Sequence, residues 1–239
     1  MKKYLRNAVL AGVLYALLIL LLTNVDRAVA GPKGTVVGLS HINVLFHNMT
    51  GFIPFWYNLT EVLGVVCLLF AIGLAATGLV QLFRRRDIFM MDREFLFLGT
   101  LYILTLIIYI IFERACINYR PMLLPGDRFP ESSFPSTHTL LSMTVYGSAM
   151  ILIGRLVSNR ILAKTARIIC LVLCILTVGG RLLSGVHWFT DILGGILLGL
   201  TLVNLYGLAC QMSGGSGQDE AQEEEAIPEG GQNPEEVND

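Results

Sequence analysis

Residues 168–191 read IICLVLCILTVGGRLLSGVHWFTD. The first thirteen are uncharged and mostly apolar. As a helix they cover about 20 Å, short of the roughly 30 Å hydrocarbon core of a bilayer. A crossing helix here must extend and carry Arg181 to the membrane edge. Charge at such a place is costly, and its default meaning is a functional site. His187 follows six residues later and Asp191 four after that, and the chain is uncharged again over 192–212.

Similar windows lie on the N-terminal side. Residues 7–25, 62–83 and 95–112 carry no charge, and a shorter apolar run, 139–154, sits between His138 and Arg155. The expectation is six transmembrane helices at about 7–25, 60–83, 94–113, 138–157, 165–183 and 191–211. The composition agrees: 54% of the 239 residues are hydrophobic and 15% charged, with a mean hydropathy of +0.65. That excludes a soluble enzyme, a nucleic-acid binder and a disordered protein. The fold class is therefore all-α and polytopic, with one membrane domain over 1–211. Residues 212–239 are rich in Gly, Gln, Glu and Pro and read as a disordered acidic tail. The last 29 residues hold nine acids and no Lys or Arg; the rest sets seventeen basic residues against nine acids.

Basic residues orient the chain. Lys2, Lys3, Arg6, Arg84, Arg85, Arg86, Arg93, Arg155, Arg160, Lys164 and Arg167 share one side if there are six crossings. Both termini are then cytoplasmic, and the segments around 26–60, 113–138 and 181–191 face outward. Residues 34–60 are uncharged but broken by Gly38, His41, His47, Gly51 and Pro54, so they are expected to be interfacial or re-entrant. Residues 1–30 also resemble a secretory signal, with Ala28-Val29-Ala30 as a cleavage site. Cys170 and Cys174 share a helix face, but no His or carboxylate lies near them in sequence, and they read as membrane-core cysteines.

Polar residues gather at three outward places: Glu113 to Pro121, Pro135 to His138, and Arg181 to Asp191. On a helix His187 and Asp191 share a face. The carboxylate there accepts the imidazole Nδ1–H and leaves Nε2 as an oriented base or nucleophile; the same spacing also serves a purely structural hydrogen bond. Arg181 suits an anion such as phosphate. His138 sits at an expected helix N-terminus, where free N–H groups bind anions, and Ser136 before it is either an anion ligand or a helix cap. Arg120 is either a phosphate ligand or an interfacial arginine with its head in water. Two imidazoles, a carboxylate, two guanidiniums and a hydroxyl on one side suit phosphoryl transfer through a phosphohistidine. No carboxylate cluster has metal-site spacing, so neither metal nor cofactor is expected.

These segments resemble the type 2 phosphatidic acid phosphatase superfamily of integral membrane lipid phosphatases. The family's motifs appear in order: Glu113-Arg114-Ala115-Cys116-Ile117-Asn118-Tyr119-Arg120-Pro121, Pro135-Ser136-Thr137-His138, and Gly180-Arg181 with His187 and Asp191. The resemblance implies that His187 attacks phosphorus, Asp191 orients it and His138 protonates the leaving alkoxide. Arg120, Arg181, Ser136 and the backbone near Thr137 hold the phosphate oxygens. Three positions depart from the motifs: Glu113 replaces a lysine, Thr137 a glycine and Gly180 a serine. Arg114 adjoins Glu113, but one residue turns about 100° on a helix.

The expected function is metal-independent hydrolysis of a lipid phosphate or isoprenoid diphosphate at the outer leaflet of a bacterial plasma membrane. Alternatives are phosphotransfer to an alcohol and a degenerate lipid-phosphate binder, the latter favoured by Glu113. The expected partner is the lipid phosphate itself, with no nucleic acid and no obligate protein partner.

Overall fold

The computed structural model describes residues 1–86, 92–124 and 126–225, and side chains through 213. It contains α1 (Lys2–Asn24), β1 (Ala28–Val29), β2 (Val36–Val37), α2 (Ser40–Thr50), α3 (Pro54–Arg85), α4 (Arg93–Ala115), α5 (Thr137–Leu156), α6 (Arg160–Ser184) and α7 (Phe189–Glu225). Six of the seven described α-helices, all but α2, include a stretch long and apolar enough to cross a membrane. The chain is an integral membrane protein. The expected tail from 212 falls largely on residues without described side chains, and 226–239 lie outside the described residues.

The start of one span departs from the expected outline, for a local reason. The second span starts at Pro54, six residues before the expected point. Proline at the first helical position is pre-set for helix and gives up only an N–H that has no partner there. The uncharged stretch 34–60 holds no span of its own. Its helix α2 has eleven residues, about 16 Å and half a bilayer. Asp26 fastens the start of α2, accepting from the His41 backbone N–H at 2.8 Å and the Ser40 hydroxyl at 3.0 Å. These bonds draw its carboxyl below the ordinary range.

Helix α5 runs through the interior and packs on α3, α4, α6 and α7, while α1 lies along α7. Its inward face is small and hydroxylated: Ser142, Thr144, Ser148 and Ala149 are fully buried. The hydroxyls donate back to carbonyls of their own helix, which satisfies them without water. Large apolar side chains point outward instead, as with Val13, Leu17 and Leu20 on α1 and Ile103, Ile107 and Ile111 on α4. In a bilayer that surface meets lipid. Cys170 and Cys174 join Cys67 in an apolar cluster with Tyr146 and Ala149, the membrane-core placement expected.

The two ends of the bundle differ. At one, Arg155 ties α4, α5 and α7 together through Glu94 at 2.9 Å and the Cys210 carbonyl at 2.7 Å. The other end gathers β1, β2, α2, the 116–136 loop and the α6–α7 turn. All three motif segments are there.

Candidate active site

The α6–α7 turn is built to be tight. Gly185 ends α6 with φ +71°, and a Cβ there would collide with the Gly51 carbonyl. Only glycine serves both conditions. The Ile53 N–H donates to the Ser184 carbonyl at 3.2 Å, joining the α3 entry to the turn. His187 and Trp188 then precede α7. The two residues expected to share a helix face do not, because α7 begins only at Phe189. Asp191, in the first turn, accepts from the Trp188 N–H at 2.9 Å. That is half of a capping box. The same oxygen lies 3.6 Å from His187 Nδ1, an ion-pair distance too long for a hydrogen bond.

Two neighbours lock the turn. Asn43 of α2 donates to the Thr190 hydroxyl at 2.9 Å and accepts from the Thr190 N–H at 3.1 Å. The Trp188 indole N–H donates to the Tyr119 carbonyl at 2.6 Å, which brings in the loop bearing Arg120. That loop is closed by the Ser133 N–H to the Asn118 carbonyl at 2.9 Å and the Arg120 N–H to the Glu131 carbonyl at 3.0 Å. The Arg120 guanidinium pairs with Glu131 at 3.2 Å, and its Nε is buried without a partner.

The Ser136 N–H donates to the Asp191 carbonyl at 3.0 Å, joining the start of α5 to α7. Ser136 occupies the N-cap position but makes no capping bond, and its hydroxyl accepts from Thr139 at 3.1 Å. The early N–H groups of α5, at Thr137 and His138, therefore get no side-chain cap from Ser136, and a helix interior has no acceptor for them. The His138 ring lies against Gly64 of α3: a Cβ there would come within 2.6 Å of its Cδ2. His138 Nε2 is 3.7 Å from a Glu61 oxygen, while Nδ1 is buried with no partner.

Arg181 is 1% exposed. Its Nη1 donates to Thr60 Oγ1 at 3.1 Å and Glu61 Oε1 at 2.9 Å, and its Nε has no partner. Thr60 and Glu61 fall in none of the three motif segments. The available signal was that Glu61 is the lone acid between Asp26 and Asp87. The same packing accounts for Gly180, where the motif has serine. A Cβ at 180 would stand 2.6 Å from Thr60 Cγ2 and 3.3 Å from the Trp56 ring.

A cavity of about 190 Å³ opens among these elements, lined by Glu113, Arg120, Glu131, Ser133, Thr137 and His187, with Phe112 and Phe134 on its apolar side. Glu113 thus faces the cavity. Arg114, one residue on, is exposed and does not line it. His187 is 4% exposed, and neither ring nitrogen has a hydrogen-bond partner. Burial, then the charges of Arg181 and Arg120, hold its imidazole well below the ordinary histidine value. A neutral imidazole beside two guanidiniums has a lone pair to offer an electrophilic anion.

Residues 95–212 match the model of the PAP2 superfamily. The chain belongs to the PAP2 superfamily. A solved structure agrees in fold, described as the first transmembrane PAP2 type phosphatidylglycerolphosphate phosphatase from Bacillus subtilis. It is 22% identical, covers 90% of this chain and 96% of its own, and superposes with a TM-score of 0.57. No curated protein matches the sequence. The matched PAP2 region holds Glu113, Arg120, Ser136, Thr137, His138, Arg181, His187 and Asp191. Glu61, Thr60 and Asn43 lie before it.

Proposed function

We propose that this PAP2 protein is a lipid phosphatase that hydrolyses a lipid phosphate or isoprenoid diphosphate through a phosphohistidine. The observation that carries this is His187: buried, neutral, unpartnered, at the wall of a cavity it shares with Arg120. Its Nε2 attacks phosphorus, the P–N bond forms, and the P–O bond to the leaving group breaks. His138 gives its proton to the departing oxygen and later takes one from the water that cleaves the P–N bond. Arg120, Arg181 and the N–H groups at Thr137 and His138 meet the charge on the phosphoryl oxygens. Asp191 keeps the imidazole in place. These groups supply nucleophile, acid and anion ligands without a metal.

The basic end of the bundle is the cytoplasmic one on the charge rule. The site then faces the outer leaflet, where a lipid presents its phosphate with its chains still in the membrane.

The test is inorganic phosphate release by the detergent-purified protein. Isoprenoid diphosphate, phosphatidic acid and phosphatidylglycerol phosphate are offered with EDTA present, and His187→Ala is the control. Release from at least one lipid, lost in His187→Ala, is expected. Undiminished release by the variant overturns the mechanism. Phosphate passed to an added alcohol instead of water would make the protein a phosphotransferase.

A further inference from the structure

Arg181 and His138 come from different helices, α6 and α5, and both lean on one carboxylate from a third. Glu61 sits on α3, about 10 Å along the helix from Pro54. One of its oxygens accepts from Arg181 Nη1 at 2.9 Å; the other lies 3.7 Å from His138 Nε2. Thr60, the adjacent residue, accepts from the same Arg181 nitrogen. Arg181 is thus held at one edge by a hydrogen bond, and His138 has the same carboxylate facing one edge of its ring. Each also keeps another nitrogen buried and without a partner, Nε on Arg181 and Nδ1 on His138. A buried donor left unmade is expensive, and a bound phosphate ester offers both the acceptors they lack.

Glu61 lies outside the family match at 95–212, and no motif segment includes it. We infer that Glu61 is a positioning residue for proton transfer, holding the Nε2 edge of His138 so that Nδ1–H meets the leaving oxygen. This rests on the phosphohistidine reading above. The step balances without a proton on Glu61. The P–O bond breaks as the His187 P–N bond forms, the His138 Nδ1 proton passes to the leaving oxygen, and Glu61 stays a carboxylate facing the Nε2–H. Its grip on Arg181 sets the phosphate ligand and the proton donor in one frame.

A positioning role for proton transfer has a signature that general damage lacks. An alkoxide leaving group needs the proton and a nitrophenolate hardly does. The experiment uses the full chain in detergent, with Glu61→Gln and Glu61→Asp, on a short-chain phosphatidic acid and on p-nitrophenyl phosphate. In Glu61→Gln, kcat/KM is expected to fall about 30-fold or more for the alkyl ester and less than about threefold for the aryl ester. Inhibition by inorganic phosphate should stay within about threefold, since the glutamine oxygen still accepts from Arg181. Glu61→Asp should recover part of the alkyl loss. Equal losses on both substrates, or no loss on either, overturn the inference. His187→Ala, run alongside, judges the covalent mechanism separately: turnover surviving there refutes that reading, whereas the ratio of the two losses judges Glu61.

Discussion

The His138 imidazole rests directly on Gly64, so close that a methyl group at that position would lie 2.6 Å from Cδ2 and 2.7 Å from Nε2. The imidazole proposed as proton donor is thereby placed by the absence of a side chain on the neighbouring helix. Gly64→Ala must push the His138 ring off this seat or force α3 outward. Misplacement by about 1 Å costs on the order of 100-fold in rate, so kcat should drop about 10- to 100-fold. Gly73→Ala on the same helix is the control, because a Cβ there meets nothing within 4 Å. Steady-state kinetics of the two variants checks this. Unchanged activity in Gly64→Ala would show that His138 has room the structure does not give it.

His187 links stability to pH. Its folded-state value lies well below the ordinary 6.5. Below about pH 6.5 the unfolded chain takes a proton that the folded protein refuses, so stability falls as pH drops, and above that value the effect vanishes. Thermal unfolding in detergent should show the difference in Tm between the parent and His187→Gln shifting against the parent as pH falls from 7 toward 5. A difference that stays constant over that range would mean that His187 does not carry the effect.

Glu113 faces the cavity beside Arg120, where it opposes an incoming anion. Reversing its charge should strengthen phosphate binding. At the effective dielectric of a wet cavity the gain is modest, and Glu113→Lys should lower the inhibition constant of inorganic phosphate about three- to tenfold. Competition assays measure this directly. Weaker inhibition would reveal a supporting role for the carboxylate itself.

Gly180→Ser restores the family motif, yet it should harm this chain. The added Cβ would press on Thr60 Cγ2 and the Trp56 ring, and overpacking costs about 1–3 kcal/mol. Thr60 also accepts from Arg181, so phosphate inhibition should weaken as Tm falls. A variant as stable and active as the parent would mean that α3 and α6 separate easily.

Much of this was legible from local chemistry. Four uncharged windows and two shorter apolar runs pointed to six spans, because a bilayer demands about 20 apolar residues whatever else they touch. Six of the described helices are long and apolar enough to cross. The position of Arg181, the two histidines and Asp191 stood out because charge is rare in such runs. The His187–Asp191 relation was only half legible. Spacing of four suggests a shared helix face, but α7 starts at Phe189 and leaves His187 ahead of it. The capping bond from the Trp188 N–H, rather than helical periodicity, sets that pair.

Glu61, Thr60 and Asn43 were not legible as site residues. Each is polar and near a helix start, and even the isolation of Glu61 as the lone acid between Asp26 and Asp87 does not say what it touches. Their meaning comes from partners 120 or more positions away: Arg181 for the first two and Thr190 for Asn43. Hydropathy and spacing are properties of neighbours along the chain, and they determine which segments cross the membrane and which residues end up at its edge. Which side chains then touch across α3, α5, α6 and α7 depends on how the helices rotate and pack. Gly64, Gly180 and Gly185 set that packing by what they leave out, and only the assembled bundle reveals it.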